Sequence, residues 1–146
     1  MVRRSASIML GIIVLLGVVV LMQLTISTAP AQHGGKVKVT GKVTDKLLKH
    51  FDGSSGMAGV RTIELRRLTM APGATMEGQI VFEGHADLCV VQKGSVTITM
   101  ANGKQVTYKE GVIYINPVGS KLKGMAAHST DGFEELMWVI YLKKKH

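Results

Sequence analysis

The chain holds one cysteine, three prolines and one tryptophan. A single thiol cannot close an internal disulfide, so a small disulfide-stapled scaffold is excluded. Paired cysteines at metal-binding spacing are absent as well. Aromatic residues make up 5% of the sequence and none interleaves with the lysine clusters, which argues against a single-stranded nucleic-acid binder. No Ser-His-Asp arrangement and no glycine loop suited to cradling phosphate occurs. Acidic residues are scarce, 10 against 18 lysines and arginines. What the chain does have is apolar content, 46% over 146 residues, enough for one folded domain and too much for a disordered one.

Residues Ile8 to Met22 form an uninterrupted apolar run behind Arg3 and Arg4. Thr28-Ala29-Pro30-Ala31-Gln32 supplies the small-x-small pattern of a signal-peptide cleavage site. Residues 1–31 are therefore expected to be a signal peptide or an uncleaved transmembrane anchor. The anchor reading rests on residues 8–26, broken only by Gln23 and Thr25, close to the roughly 20 residues that a bilayer needs. Both readings place the domain outside the cytoplasm, periplasmic or extracellular. Lys36, Lys38, Lys42, Lys46 and Lys49 crowd the start of the remaining chain, and Lys143 to Lys145 close it. For an exported domain this charge suits an anionic lipid surface or an acidic envelope protein, and not nucleic acid.

Beyond the leader, alternation dominates. Lys36–Thr40 reads as a strand, and Thr44–Phe51 as two helical turns with Leu47, Leu48 and Phe51 on one side. From Val60 onward come short strands: Thr62–Met70, Gln79–Glu83, Asp87–Gln92, Ser95–Met100, Gln105–Tyr108, Val112–Ile115, Lys121–Ala126 and Glu134–Leu142. Lys93-Gly94, Glu110-Gly111 and Asp131-Gly132 punctuate them, and Asn102-Gly103 predicts a type I′ hairpin. Regular short strands argue for an all-β sandwich or barrel. The expected organisation is a leader over 1–31, an N-terminal strand, short helix and loop over 32–59, and a β-barrel over 60–146. Leu136 to Leu142 is apolar on both faces, so a second cover is needed: the N-terminal segment, or a second subunit in a homodimer.

Gly111-Val-Ile-Tyr-Ile-Asn-Pro117-Val-Gly119 resembles the front half of the second cupin motif. Asp87-Leu-Cys-Val-Val-Gln-Lys-Gly94 is similar to the tail of the first motif, and Ala71-Pro72-Gly73 stands where that motif begins. The resemblance implies an antiparallel cupin barrel of jelly-roll type, often dimeric. Many cupins hold a divalent metal through two histidines and a glutamate of the first motif and a histidine of the second. Counting from Gly73 puts Gln79 and Val81 at the first two positions; Asp87 stands at the acidic one after a connection one or two residues longer than usual, and counting three residues on from Gly119 puts Leu122 at the last. The imidazoles are gone, and a carboxylate with an amide is a poor shell for transition metals.

A substitute site has its own candidates. Glu83-x-His85-x-Asp87-x-Cys89 places four polar side chains at alternate positions. Glu83, His85 and Asp87, with His128 approaching from a later strand, are the candidate metal ligands. The plainer reading is a turn carrying ordinary polar residues and an inert buried Cys89. Gln79, Val81, Cys89, Leu122 and Trp138 are the candidate lumen residues. Glu134-Glu135 reads as a surface pair, and His33, His50 and His146 as solvated. The residues leave two functions open. One is a non-catalytic module that binds a small ligand or a partner protein, with no cofactor; the other is a metal-dependent enzyme of the dioxygenase or isomerase type.

Overall fold

The structure is a computed structural model describing residues 36–53 and 56–144. The expected leader over 1–31, with His33 and His146, lies outside the described residues. Among the described residues no helix is long and apolar enough to cross a membrane.

The described residues form nine strands, paired antiparallel throughout. They are β1 (Val37–Thr40), β2 (Val43–Asp52), β3 (Val60–Met70), β4 (Thr75–Val81), β5 (His85–Met100), β6 (Gln105–Lys109), β7 (Ile113–Asn116), β8 (Lys121–Ala127) and β9 (Phe133–Leu142). One sheet runs β1-β4-β8-β5-β6 and the other β7-β5-β9-β3-β2. Strand β5 belongs to both and joins them at one seam into a curled, barrel-like sheet. Its first half pairs with β7 and β9, its second with β6 and β8.

Lys93-Gly94 therefore does not separate two strands, as alternation suggests, but bends one. The register slips between Val91 and Lys93, and Gly94 adopts φ 70°. A Cβ there would stand 2.2 Å from the Gly132 carbonyl oxygen, so only glycine lets the corner close against β9.

The predicted helix over Thr44–Phe51 is strand β2. Its register on β3 shifts between Leu47 and Lys49, which marks a bulge at Leu48. One extra residue reverses the alternation, so Leu47 pairs beside Arg66 on the inner side while Phe51 pairs beside Ile63 on the outer. Local sequence reads that slip as helical spacing, and the unpaired edge of β3 decides against it. The Asn102-Gly103 hairpin forms, but not as type I′. Only Gly103 has positive φ, 85°. The Gly103 amide donates to the Met100 carbonyl at 2.9 Å and the Met100 amide to Lys104 at 2.8 Å. This is a three-residue loop, a type I turn followed by a left-handed glycine.

The core gathers Met70, Met76, Val96, Ile98, Leu122 and Phe133, all nearly inaccessible. On β9, Phe133, Glu135, Met137 and Val139 point inward and are buried, while Leu136, Trp138 and Ile140 face outward and stay half-exposed. In register across the outer side, Ile115, Leu88, Trp138 and Leu65 form one apolar row.

Candidate functional site

The inner face of the β7-β5-β9-β3-β2 sheet is unexpectedly polar. Register sets its rows: Asn116, Asp87, Val139 and Glu64 in one, Tyr114, Cys89, Met137 and Arg66 in the next. Glu135 and Asp45 share a third with Val91 and Leu68. His85, Tyr141 and Thr62 make the row nearest the barrel end.

Three linked groups occupy this face. Arg66 donates from Nε to Asp45 at 2.9 Å and from Nη1 to Glu64 at 2.8 Å. Burial opposes its charge, but the two carboxylates outweigh that and hold the guanidinium pKa up. Tyr114 donates its hydroxyl to Glu135 Oε2 at 2.5 Å, with both side chains buried. Its ring stacks on Tyr108 at 4.1 Å between centroids. Asp87 is 1% exposed, and its Oδ1 has no hydrogen-bond partner among the described residues.

His85 Nε2 lies 3.8 Å from Asp87 Oδ1, too far for a hydrogen bond. Its Nδ1 meets the Glu83 carbonyl at 3.2 Å, and a carbonyl can only accept, so the proton sits on Nδ1. The ring is flanked by Phe82 and Tyr141 at 5.6 and 5.4 Å.

Burial governs the electrostatics. It pushes Glu135 up to about 8, with Asp87 and Asp45 adding to the rise against the Tyr114 hydrogen bond. It raises Asp87 to about 7, helped by Asp45 and opposed by Arg66. It lowers His85, against the Glu83 hydrogen bond and Glu64, which disfavours the imidazolium. The Cys89 thiol is pushed up by burial and then by Glu135 and Asp87, which disfavours the thiolate. Both inner carboxyls therefore tend toward the neutral form around neutral pH.

The four candidate metal ligands are not brought together. His85 and Asp87 are neighbours on β5, but Glu83 is exposed in the turn before it. His128 is exposed beyond β8, at the other end of the barrel, where Nδ1 meets Thr130 Oγ1 at 3.1 Å and Asp131 at 3.4 Å. Among the described residues no group of three or more His, Cys, Asp or Glu is placed to hold a metal ion. Glu83, His85, Asp87 and His128 do not form such a group.

The candidate lumen set divides too. Cys89 and Leu122 face inward at 0% and 2% exposure. Gln79 is exposed and Val81 only half-buried, because Ile80 on β4 and Phe82 just after it turn inward instead. A register shift between Glu77 and Ile80 absorbs one residue, so a count from Gly73 falls one short. Ile80 then lies directly opposite Leu122. Trp138 faces outward because Met137 and Val139 take the core side of β9.

Sequence reasoning missed Tyr114, Asn116, Glu64, Arg66 and Asp45, and misplaced Glu135 on the surface. Glu135 could have been found, since it shares the parity of Phe133, Met137 and Val139. The others needed the sheet.

No protein-family model and no curated protein matches the sequence. Solved structures do match in shape. A predicted oxalate decarboxylase from Thermotoga maritima superposes with TM-score 0.54 at 19% identity, over 76% of this chain and 95% of that one. The cupin domain of Cnp3 from Schizosaccharomyces pombe gives 0.53 at 12% identity, over 73% and 69%. The polyketide cyclase RemF from Streptomyces resistomycificus gives 0.53 at 15%, over 80% and 78%. Proteins named for an activity stand beside a domain named for its shape, so the likeness selects no chemistry. Together with the two sheets joined through β5, it shows that this chain has the cupin fold.

Proposed function

We propose that this chain is an exported or membrane-tethered cupin-fold module without catalytic activity, which serves by binding a small ligand or, as an accessory unit, a partner protein. One observation carries the reading. The inward positions available for imidazoles at the end of β4, just after it and on β8 hold Ile80, Phe82 and Leu122, packed at 1–2% exposure. Apolar side chains there offer no ligand to a metal. The leader pattern of residues 1–31 supports the envelope location. The outward apolar row of Ile115, Leu88, Trp138 and Leu65 supports pairing with a second copy, since a bare sheet face of this kind is stabilised by cover.

The test is metal content. The full chain, expressed with its leader and purified without chelator or affinity tag, is analysed by mass spectrometry for metal per mole of protein. A folded protein that stays empty after exposure to iron, manganese, copper, zinc and nickel is the expected result. Near-stoichiometric metal would overturn the proposal in favour of a remodelled cupin enzyme.

A further inference from the structure

One end of the barrel differs from the other in charge, in apolar exposure and in what enters there. Val37 pairs with Gly78 and Val81 with Lys121, so β1 begins at the end where β4 finishes and β8 starts. β2 finishes and β3 starts at that end, and β9 leaves from it. The chain preceding Lys36, which contains the apolar run Ile8–Met22, thus joins the barrel there.

The same end exposes Lys36, Arg61, Lys104, Lys121, Lys143 and Lys144, against Asp52 and Glu83. The opposite end exposes Lys42, Lys93 and Lys109 against Glu110 and Asp131, close to balance. Large apolar side chains stand out among those cations: Met57 at 57% exposure, Phe51 and Val118 at 46%, Leu142 at 41%.

At this end lies an open cleft of about 390 Å³. Arg61, Lys144 and Glu83 line it with Val81, Leu142 and Tyr141. The Arg61 guanidinium sits 5.5 Å from the Tyr141 ring centroid, which holds the charge at the cleft wall. A guanidinium and an ammonium beside apolar walls suit a phosphodiester with acyl chains close by.

We propose that this end of the barrel docks on an anionic phospholipid bilayer, with a headgroup phosphate between Arg61 and Lys144 and the four apolar side chains at the interface. Neither feature is sufficient alone. Basic residues concentrate a protein at an anionic surface, and apolar side chains convert that attraction into interfacial burial. The proposal rests on the envelope location proposed above, and its test separates the two.

The full chain is mixed with vesicles of phosphatidylcholine alone or of phosphatidylcholine with phosphatidylglycerol, and flotation is measured. An environment-sensitive fluorophore is placed at Met57→Cys, or at Asp131→Cys on the opposite end; the native Cys89 thiol is buried and does not label. The expected result is a blue shift at position 57 with phosphatidylglycerol only, reversed by high salt and lost in a Lys143→Glu/Lys144→Glu variant. A chain that floats with both vesicles while the probe at 57 stays water-like is tethered without docking, which overturns this proposal and leaves the location standing. A chain that floats with neither overturns this proposal and the tethered form of the location, and leaves export with a cleaved leader standing. Equal shifts at 57 and 131 mean indiscriminate adsorption, which also overturns it.

Discussion

The phenol of Tyr114 on β7 and the carboxyl of Glu135 on β9 meet at 2.5 Å across the inner face of β5, both buried. Neither strand pairs with the other; both flank β5, so the contact ties the two sides of the seam. Tyr114→Phe keeps the ring that stacks on Tyr108 and removes only the donor. The expected loss is about 1–3 kcal/mol, the range for a buried polar group left without its partner. Urea unfolding at neutral pH measures it. Glu135→Gln keeps an acceptor and should cost less.

The same face sets a pH dependence. Glu135 and Asp87 are raised to about 8 and about 7, from ordinary values of 4.5 and 3.8. Between the two sets of values the folded state binds more protons than the unfolded one, so stability falls as pH rises. The contribution is complete below about pH 4 and is lost as pH climbs through about 7 to 8. Thermal melts from pH 4 to 9 should show a declining Tm. In an Asp87→Asn/Glu135→Gln variant the decline should flatten.

Ile80 and Leu122 face each other across β4 and β8, both nearly inaccessible. Cβ atoms of directly opposed residues stand about 4.5–5.5 Å apart, close enough for two imidazoles to share an ion. Ile80→His/Leu122→His should therefore gain cobalt or zinc binding, followed by the visible absorbance of cobalt. Gln79→His/Val81→His should gain none from the interior, because neither position faces it. Equal binding by the two pairs would refute the β4 register.

Gly94 turns the corner of β5 at φ 70°, with the Gly132 carbonyl where a Cβ would be. Gly94→Ala should destabilise by about 2 kcal/mol or more, combining backbone strain with a steric clash. Gly103→Ala strains a backbone of similar φ but meets nothing within 4 Å. It should be the milder of the two, and chemical denaturation ranks them.

Trp138 sits at the centre of the outer apolar row. If a second copy covers it, Trp138→Glu shifts the full chain from dimer to monomer in sedimentation while its far-ultraviolet spectrum holds. An unchanged sedimentation coefficient would remove that face from the dimer proposal.

Much of the fold was legible because alternation and turn chemistry are local. The expected segments for β1, β3, β6, β7, β8 and β9 agree with the strands to within two residues at each end. Glycines 111, 119 and 132 sit at positive φ between strands, where turn residues were expected. The site was less legible. Asp87 and Cys89 are visible in the sequence as alternate residues of one strand. Their partners Tyr114, Glu135, Asn116 and Arg66 lie on three other strands, and no spacing in the sequence joins them.

The sequence by itself determined that this is a strand-built barrel without an internal disulfide, with glycines at its turns. Those are properties of residue identity and short-range period. Only the tertiary structure decided which face each side chain takes. Bulges at Leu48, beside Gly78 and before Lys93 each insert a residue that alternation cannot see, because a bulge exists only relative to a paired strand. Each one reverses the face of the next residues or displaces a count by one. That is why Ile80 and not Gln79 fills the interior, why Leu47 and Phe51 part company, and why β5 can serve two sheets.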